Sequence, residues 1–174
     1  MNQEDYIAVQ EIETSIGYLT VSVYDHQLCH VDFGSLEENK PQLALWAKKH
    51  ELPVLLKVDE TQCSEAAEQL RDYFSGARKE FSLKLLMKGT EFQRKVWAAL
   101  AEIPFGETRS YKDIAQAVKN PKGVRAVGMA NNRNPIPIVV PCHRVIGSDG
   151  SLIGYGGGLD VKKFLLKLEN RINV

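Results

Sequence analysis

In the first quarter of the chain, apolar and polar residues trade places at period two. The segments YLTVSVY and LCHVDF, on either side of Asp25, His26 and Gln27, predict a β-hairpin. Farther on, TQCSEAAEQLRDYFSG sets Ala66, Leu70, Tyr73 and Phe74 at helical spacing and runs into Gly76, which predicts a helix ending there. EFSLKLLM, residues 80–87, reads as one more strand. No constellation of catalytic residue types accompanies these elements, so the stretch reads as a support domain.

Near Lys88 and Gly89 the spacing becomes that of helices. TEFQRKVWAALAEI opens on a capping box, Thr90 with Gln93 three residues on, and aligns Phe92, Val96, Trp97 and Leu100 on one face until Pro104 and Gly106 break it. A second short helix, capped by Thr108 or Ser110, carries Tyr111, Ile114, Ala115 and Val118. After the turn KNPKG, a third helix is predicted from about Gly123 to Asn132. Two short helices joined by a tight turn containing proline and glycine read as a helix-turn-helix. The third helix carries Ala126, Gly128 and Ala130 on one flank beside Arg125; small residues let a helix approach another surface closely, and a long cation reaches into a groove. At the end of the chain Asp160 is placed to cap a helix with the stripe Val161, Phe164, Leu165 and Leu168, and Glu169 sits at the edge of that stripe. The fold class is therefore α+β. A small strand-and-helix domain, residues 1–88, precedes a mostly helical domain, residues 89–174, that contains the helix-turn-helix.

Composition narrows the class. With 174 residues, 44% of them hydrophobic, the chain builds its own core. No segment approaches the roughly 18 to 20 consecutive apolar residues that span a bilayer, and MNQEDYIAVQ lacks the basic start of a signal peptide. A cytoplasmic, reducing location without membrane contact is expected, nucleoid-associated if the source is bacterial. Cys29, Cys63 and Cys142 are widely spaced with no CxxC pair, which argues against both a disulfide framework and structural zinc. Cys29, in an alternating strand, reads as a small buried hydrophobe. The formal net charge of zero hides an imbalance: residues 1–87 carry −7 and residues 88–174 carry +7, which points to an anionic partner for the second half.

The chemistry concentrates in NPIPIVVPCHRVIGSDG, Asn134 to Gly150. IPIVVP has strong β propensity, yet Pro135, Pro137 and Pro141 bar a fully paired central strand, so an edge or isolated extended segment is expected to deliver Cys142 rigidly. In an extended chain Cys142 and His143 point to opposite faces and do not touch. A water can still link them, and Glu169 is the acid best placed to orient His143. Nucleophile, base and orienting acid together form a triad in the general sense. The polar and basic neighbours His143 and Arg144 suit a thiol of lowered pKa. The glycines of GSDGSLIGYGGGL fit neither GxxxxGK[ST] nor G-x-G-x-x-G and read as a loop closing near Cys142 with Tyr155 on it.

At IPIVVPCHRV, with RAVGMANNRNP before it and GYGGGLDVKKFLLKLE after it, the sequence closely resembles the O6-alkylguanine-DNA alkyltransferases, also called methylated-DNA-protein-cysteine methyltransferases. The resemblance covers essentially residues 90–170. It implies a helix-turn-helix docked in the minor groove of duplex DNA, an alkylated guanine flipped into a pocket, and irreversible transfer of the O6 alkyl group to a cysteine in a single turnover. O4-alkylthymine is implied as a second substrate. On this sequence the acceptor would be Cys142, with His143 its base through water, Glu169 orienting His143, and Asn134 bracing the network. Tyr111 would assist flipping and protonate the departing guanine. Arg125 would fill the space the base leaves, with Ala126, Gly128 and Ser110 also at the DNA. Val145, Tyr155, Gly156, Gly157 and Pro137 would line the pocket. The resemblance implies no cofactor and a monomer; the zinc site in the amino-terminal domain of some relatives has no counterpart here, where the first half's cysteines are only Cys29 and Cys63, so no structural metal is expected. Leu152 and Ile153 are bulky where some relatives are small, and Ile153 is expected to narrow the pocket.

Two other readings carry different expectations. A cysteine hydrolase or acyltransferase using Cys142 and His143 needs an oxyanion hole and turns over repeatedly. A non-catalytic lesion-binding regulator needs the helix-turn-helix but not the acceptor cysteine.

Overall fold

The computed structural model describes residues 4–172. The chain divides between Lys88 and Gly89 into two compact units. In the first, β1 (Ile7–Thr14), β2 (Gly17–Tyr24) and β3 (Gln27–Phe33) form an antiparallel meander, and β4 (Leu56–Val58) adds to β1 in parallel, giving the order β3-β2-β1-β4. The expected hairpin is β2–β3. Asp25 and His26 both hold positive φ, 49° and 60°, the backbone of a tight turn whose twist matches its strands. Ile7, Ala8, Val9 and Gln10 are buried at consecutive positions, so β1 is covered on both faces. Helix α1 (Leu36–Lys49) packs Leu43 and Ala47 against Ile7, Val9 and Cys29, and α2 (Glu60–Ser75) packs on β1 and β2 with Cys63, Ala66, Ala67 and Leu70 inward. Helix α2 ends at Gly76, whose φ of 85° a side chain would oppose. Cys29 is fully buried and burial pushes its thiol up to about 12, as expected of a small hydrophobe. Residues 80–87 form no strand: they run extended and meet the sheet at one bridge, Leu28 with Leu85.

The second unit holds four helices and a two-stranded parallel ribbon. Helix α3 (Glu91–Ala101) opens on the Thr90–Gln93 capping box and buries Val96, Trp97 and Leu100, with Phe92 half-buried. After β5 (Arg109–Ser110), Ser110 rather than Thr108 caps α4 (Tyr111–Ala117), accepting from the Asp113 N–H at 3.0 Å while the Asp113 carboxylate accepts from Ser110 N–H at 2.8 Å. Lys119, at φ 60°, reverses the chain into α5 (Val124–Asn132). Helices α4 and α5 pack on each other and on α3, and the Trp97 indole N–H donates to the Ala130 carbonyl at 2.8 Å. The helix-turn-helix is thereby built. Helix α6 (Leu159–Ile172) begins one residue before Asp160, which sits in its first turn instead of capping it.

Candidate active site

The segment before Cys142 is a tight turn, not an extended strand. Pro137 bridges to Val140, the Val140 N–H donates to the Ile136 carbonyl at 2.9 Å, and Ile138 is forced to φ 74°, a strained conformation for a β-branched residue. Asn134 clasps this turn: its Nδ2 donates to the Val140 carbonyl at 2.8 Å and its Oδ1 accepts from the Ile136 N–H at 3.0 Å. The chain then enters a single 3-10 turn, Cys142–Arg144, before β6 (Val145–Ile146) pairs with β5. The alternation expected of a strand does not apply, because three residues per turn send successive side chains off about 120° apart. Cys142, His143 and Arg144 are all buried.

Their partner is Glu169, 1% exposed on α6. Arg144 grips it with both arms of the guanidinium, Nε to Oε1 at 2.8 Å and Nη2 to Oε2 at 3.1 Å, while its Nη1 donates to the Ile103 carbonyl at 2.6 Å. His143 Nε2 lies 2.6 Å from Glu169 Oε2. Burial alone would raise the Glu169 pKa, but the hydrogen bond from His143 and the hydrogen bonds and charge of Arg144 hold it down at about 2. The carboxylate is therefore ionised and only accepts. That fixes the proton of His143 on Nε2. Burial holds the His143 pKa below its usual value, so the ring is neutral, and its Nδ1 lone pair has no hydrogen-bond partner among the described residues.

Cys142 sits beside this network at 4% exposure. The thiol is not lowered as its basic neighbours suggest: burial pushes it up to about 11, against the opposing pull of Asn134, the charge of Lys162 and Tyr155. Lys162 is fully buried on α6; its ammonium donates to the carbonyls of Val145 at 2.6 Å and Ile153 at 3.2 Å and stands 5.8 Å from the centre of the Tyr111 ring. The Tyr111 hydroxyl donates to the same Ile153 carbonyl at 2.9 Å, and burial, then the nearby Cys142, raise its pKa. The site is a buried thiol among donors that favour its anion, beside a neutral imidazole with one open lone pair.

Two family models divide the chain between them. The one described as 6-O-methylguanine DNA methyltransferase, ribonuclease-like domain matches residues 7–87, and the one described as 6-O-methylguanine DNA methyltransferase, DNA binding domain matches residues 91–171. The methylated-DNA–protein-cysteine methyltransferase of Methanosarcina barkeri is 51% identical over 91% of this chain and 94% of its own length. The chain belongs to the 6-O-methylguanine DNA methyltransferase family. A constitutive relative from Bacillus subtilis is 61% identical over 61% of this chain and 65% of its own. Among solved structures, Mycobacterium tuberculosis OGT in complex with DNA superposes with a TM-score of 0.80 at 41% identity, covering 96% of this chain and 94% of that one.

For this methyltransferase-family chain the second unit gathers Cys142, His143, Glu169, Asn134 and Tyr111 around one point, with Val145 and Pro137 buried nearby and Tyr155 among the groups that favour the thiolate. Gly156 is exposed and Gly157 half-buried. Arg125 and Ala126 lie exposed on α5, whereas Ala130 is buried against Trp97; residues two apart on a helix diverge, so the small residues do not form one flank. The Ile153 side chain is 56% exposed, and what this residue offers the site is its carbonyl. Sequence reasoning missed Lys162, and it read Arg144 only as a basic neighbour of the thiol, not as the partner of Glu169. A signal existed for the lysine: Lys162, Leu165 and Glu169 fall at i, i+3 and i+7, one helical face, and all three are buried. Among the described residues no group of three or more His, Cys, Asp or Glu side chains is placed to hold a metal, and no helix is long and apolar enough to cross a membrane.

Proposed function

We propose that this chain repairs duplex DNA by taking the alkyl group from O6 of guanine onto Sγ of Cys142, once per molecule, with O4-alkylthymine as a second substrate. Residues 89–174 bind the DNA and accept the alkyl group, and residues 1–88 support them. The observation that carries the reading is the buried Cys142 thiol between donors and a neutral His143 fixed by Glu169 and Arg144. The reaction is a displacement at saturated carbon: an S–C bond forms, the C–O6 bond breaks, and its electron pair remains on the guanine. The thiol proton leaves through water to the open Nδ1 of His143, Tyr111 protonates the departing base, and the proton taken up by His143 returns through water to Tyr111. The thioether is stable and nothing in the scheme hydrolyses it, so one turnover ends the protein's activity.

DNA binding follows from the helix-turn-helix and is supported by the relative solved with DNA. In this reading α5 enters the minor groove, Arg125 fills the place of the flipped base, Ala126 and Gly128 allow close approach, and Ser110 meets the backbone from the start of α4. Val145, Pro137, Tyr155, Gly156 and Gly157 surround the extruded base. The protein acts as a monomer in the cytoplasm or on the nucleoid, with no cofactor.

The test uses duplex DNA radiolabelled in the methyl group of O6-methylguanine, followed by digestion and peptide mass analysis. Label held stoichiometrically on the Cys142 peptide, and absent from Cys142→Ser, is the expected result. Label released into water would instead indicate a hydrolase, and DNA binding without transfer a lesion-binding module.

A further inference from the structure

Helix α5 faces two ways. Val127, Ala130 and Asn131 are buried, the opposite side presents Arg125, Ala126, Met129 and Asn132 to solvent, and Arg133 is exposed just past its end. Met129 is 59% exposed, more than Val124 on the same helix. A long apolar side chain at the centre of a short polar face gains nothing from the protein's own core. Its neighbours make the position specific. Arg125 and Arg133 stand four residues before and four after it, and Gly128 beside it opens onto space, with nothing within 4 Å of where a Cβ would lie. Residues 114–148 contain no Asp or Glu, while Lys119, Lys122, Arg125 and Arg133 are all exposed there. That surface complements a polyanion.

We infer that Met129 is an apolar wedge set into the minor groove of duplex DNA, where it opens the groove next to the nucleotide being extruded. The inference rests on the proposed docking of α5 and deepens it. Four residues of helix advance about 6 Å, and duplex DNA rises about 3.4 Å per base pair along each strand. With Arg125 at the vacated base, Met129 meets the groove floor about two base pairs away. The minor groove is only about 6 Å wide, so a bare helix face does not fill its floor, whereas an unbranched thioether between small neighbours does. Apolar side chains in this groove unstack and bend the duplex, and a bend near the lesion lowers the cost of turning a base out. Met129 therefore acts as a positioning residue. It makes repair depend on how easily the step two base pairs from the lesion deforms, with pyrimidine–purine steps favoured.

The experiment compares wild type, Met129→Ala and Arg133→Ala as full chains. Affinity for an undamaged duplex is read by fluorescence anisotropy across a salt series, and DNA bending by energy transfer between dyes at the duplex ends. Both positions are exposed and alanine is the best helix former, so folding is preserved. For Met129→Ala we expect affinity to fall about fivefold, in line with the loss of a buried methylene or two, with the slope of log affinity against log salt unchanged and the bend reduced. Arg133→Ala instead lowers that slope by about 1. Met129→Ala binding and bending the duplex as wild type does would overturn the wedge while leaving α5 as the docking helix. Failure of the wild type itself to bind duplex DNA would overturn both.

Discussion

At Glu169 one carboxylate serves both side-chain neighbours in the site. Its bond to Arg144 neutralises a buried cation, and its bond to His143 fixes the imidazole tautomer. Glu169→Gln keeps the shape but leaves Arg144 as an uncompensated buried charge, which costs about 3 to 5 kcal/mol. Urea denaturation followed by tryptophan fluorescence measures that loss. The pH dependence has a definite sign. The Glu169 pKa is lower in the folded chain than its ordinary 4.5, so the unfolded chain binds the proton first as the solution is acidified. Stability from the carboxylate is complete above about 4.5 and is lost between there and about 2, and Glu169→Gln removes that part of the acid transition. His143, also lowered, adds a loss with the same sign beginning near its ordinary 6.5. An unchanged acid transition in Glu169→Gln would refute the assignment. Cys142, His143 and Glu169 were legible in the sequence because their residue types advertise chemistry. Lys162 was not, since lysine is almost never fully buried; what holds it there is a pair of carbonyls, Val145 and Ile153, that only the folded chain brings together.

At the scale of elements, capping chemistry read well and proline read badly. Thr90 with Gln93 marked the start of α3, and Gly76 marked the end of α2. Helix α1 escaped because Pro41 lies inside it, although Ser35 and Glu38 supply a full capping box at its start. The β-branched IPIVVP suggested a strand, but with Pro135 and Pro137 unable to donate, the chain satisfied itself through Asn134 and folded into a turn. EFSLKLLM likewise has strand composition but docks at one bridge only. The cap with the most direct bearing on the site is Ser110, because the next residue, Tyr111, opens α4 and reaches Ile153 with its hydroxyl. Ser110→Ala removes the acceptor of the Asp113 N–H and is expected to lower stability by about 1 kcal/mol. In urea the midpoint should drop while the slope stays constant; no shift would mean that the packing of Ile114 and Ala115 holds α4 without its cap.

The whole molecule is neutral, yet its charge is sorted along the chain, −7 over residues 1–87 and +7 over residues 88–174. Within the second half the sorting sharpens. Of the five lysines and arginines in residues 114–148, Arg144 is neutralised by Glu169, which leaves Lys119, Lys122, Arg125 and Arg133 exposed with no carboxylate among them. If Lys119, Lys122 and Arg133 meet phosphates, each displaces condensed counterions, and the logarithm of affinity for duplex DNA should fall with the logarithm of salt at a slope of about −2.7. Anisotropy titrations of an undamaged duplex at several salt concentrations measure it. Arg125→Ala separates docking from flipping: an arginine that fills the vacated stack contributes little to the slope, so its loss should slow methyl transfer much more than it weakens binding to undamaged DNA. A slope near zero would remove the electrostatic reading of this surface. Equal losses of binding and transfer in Arg125→Ala would return that arginine to the phosphates.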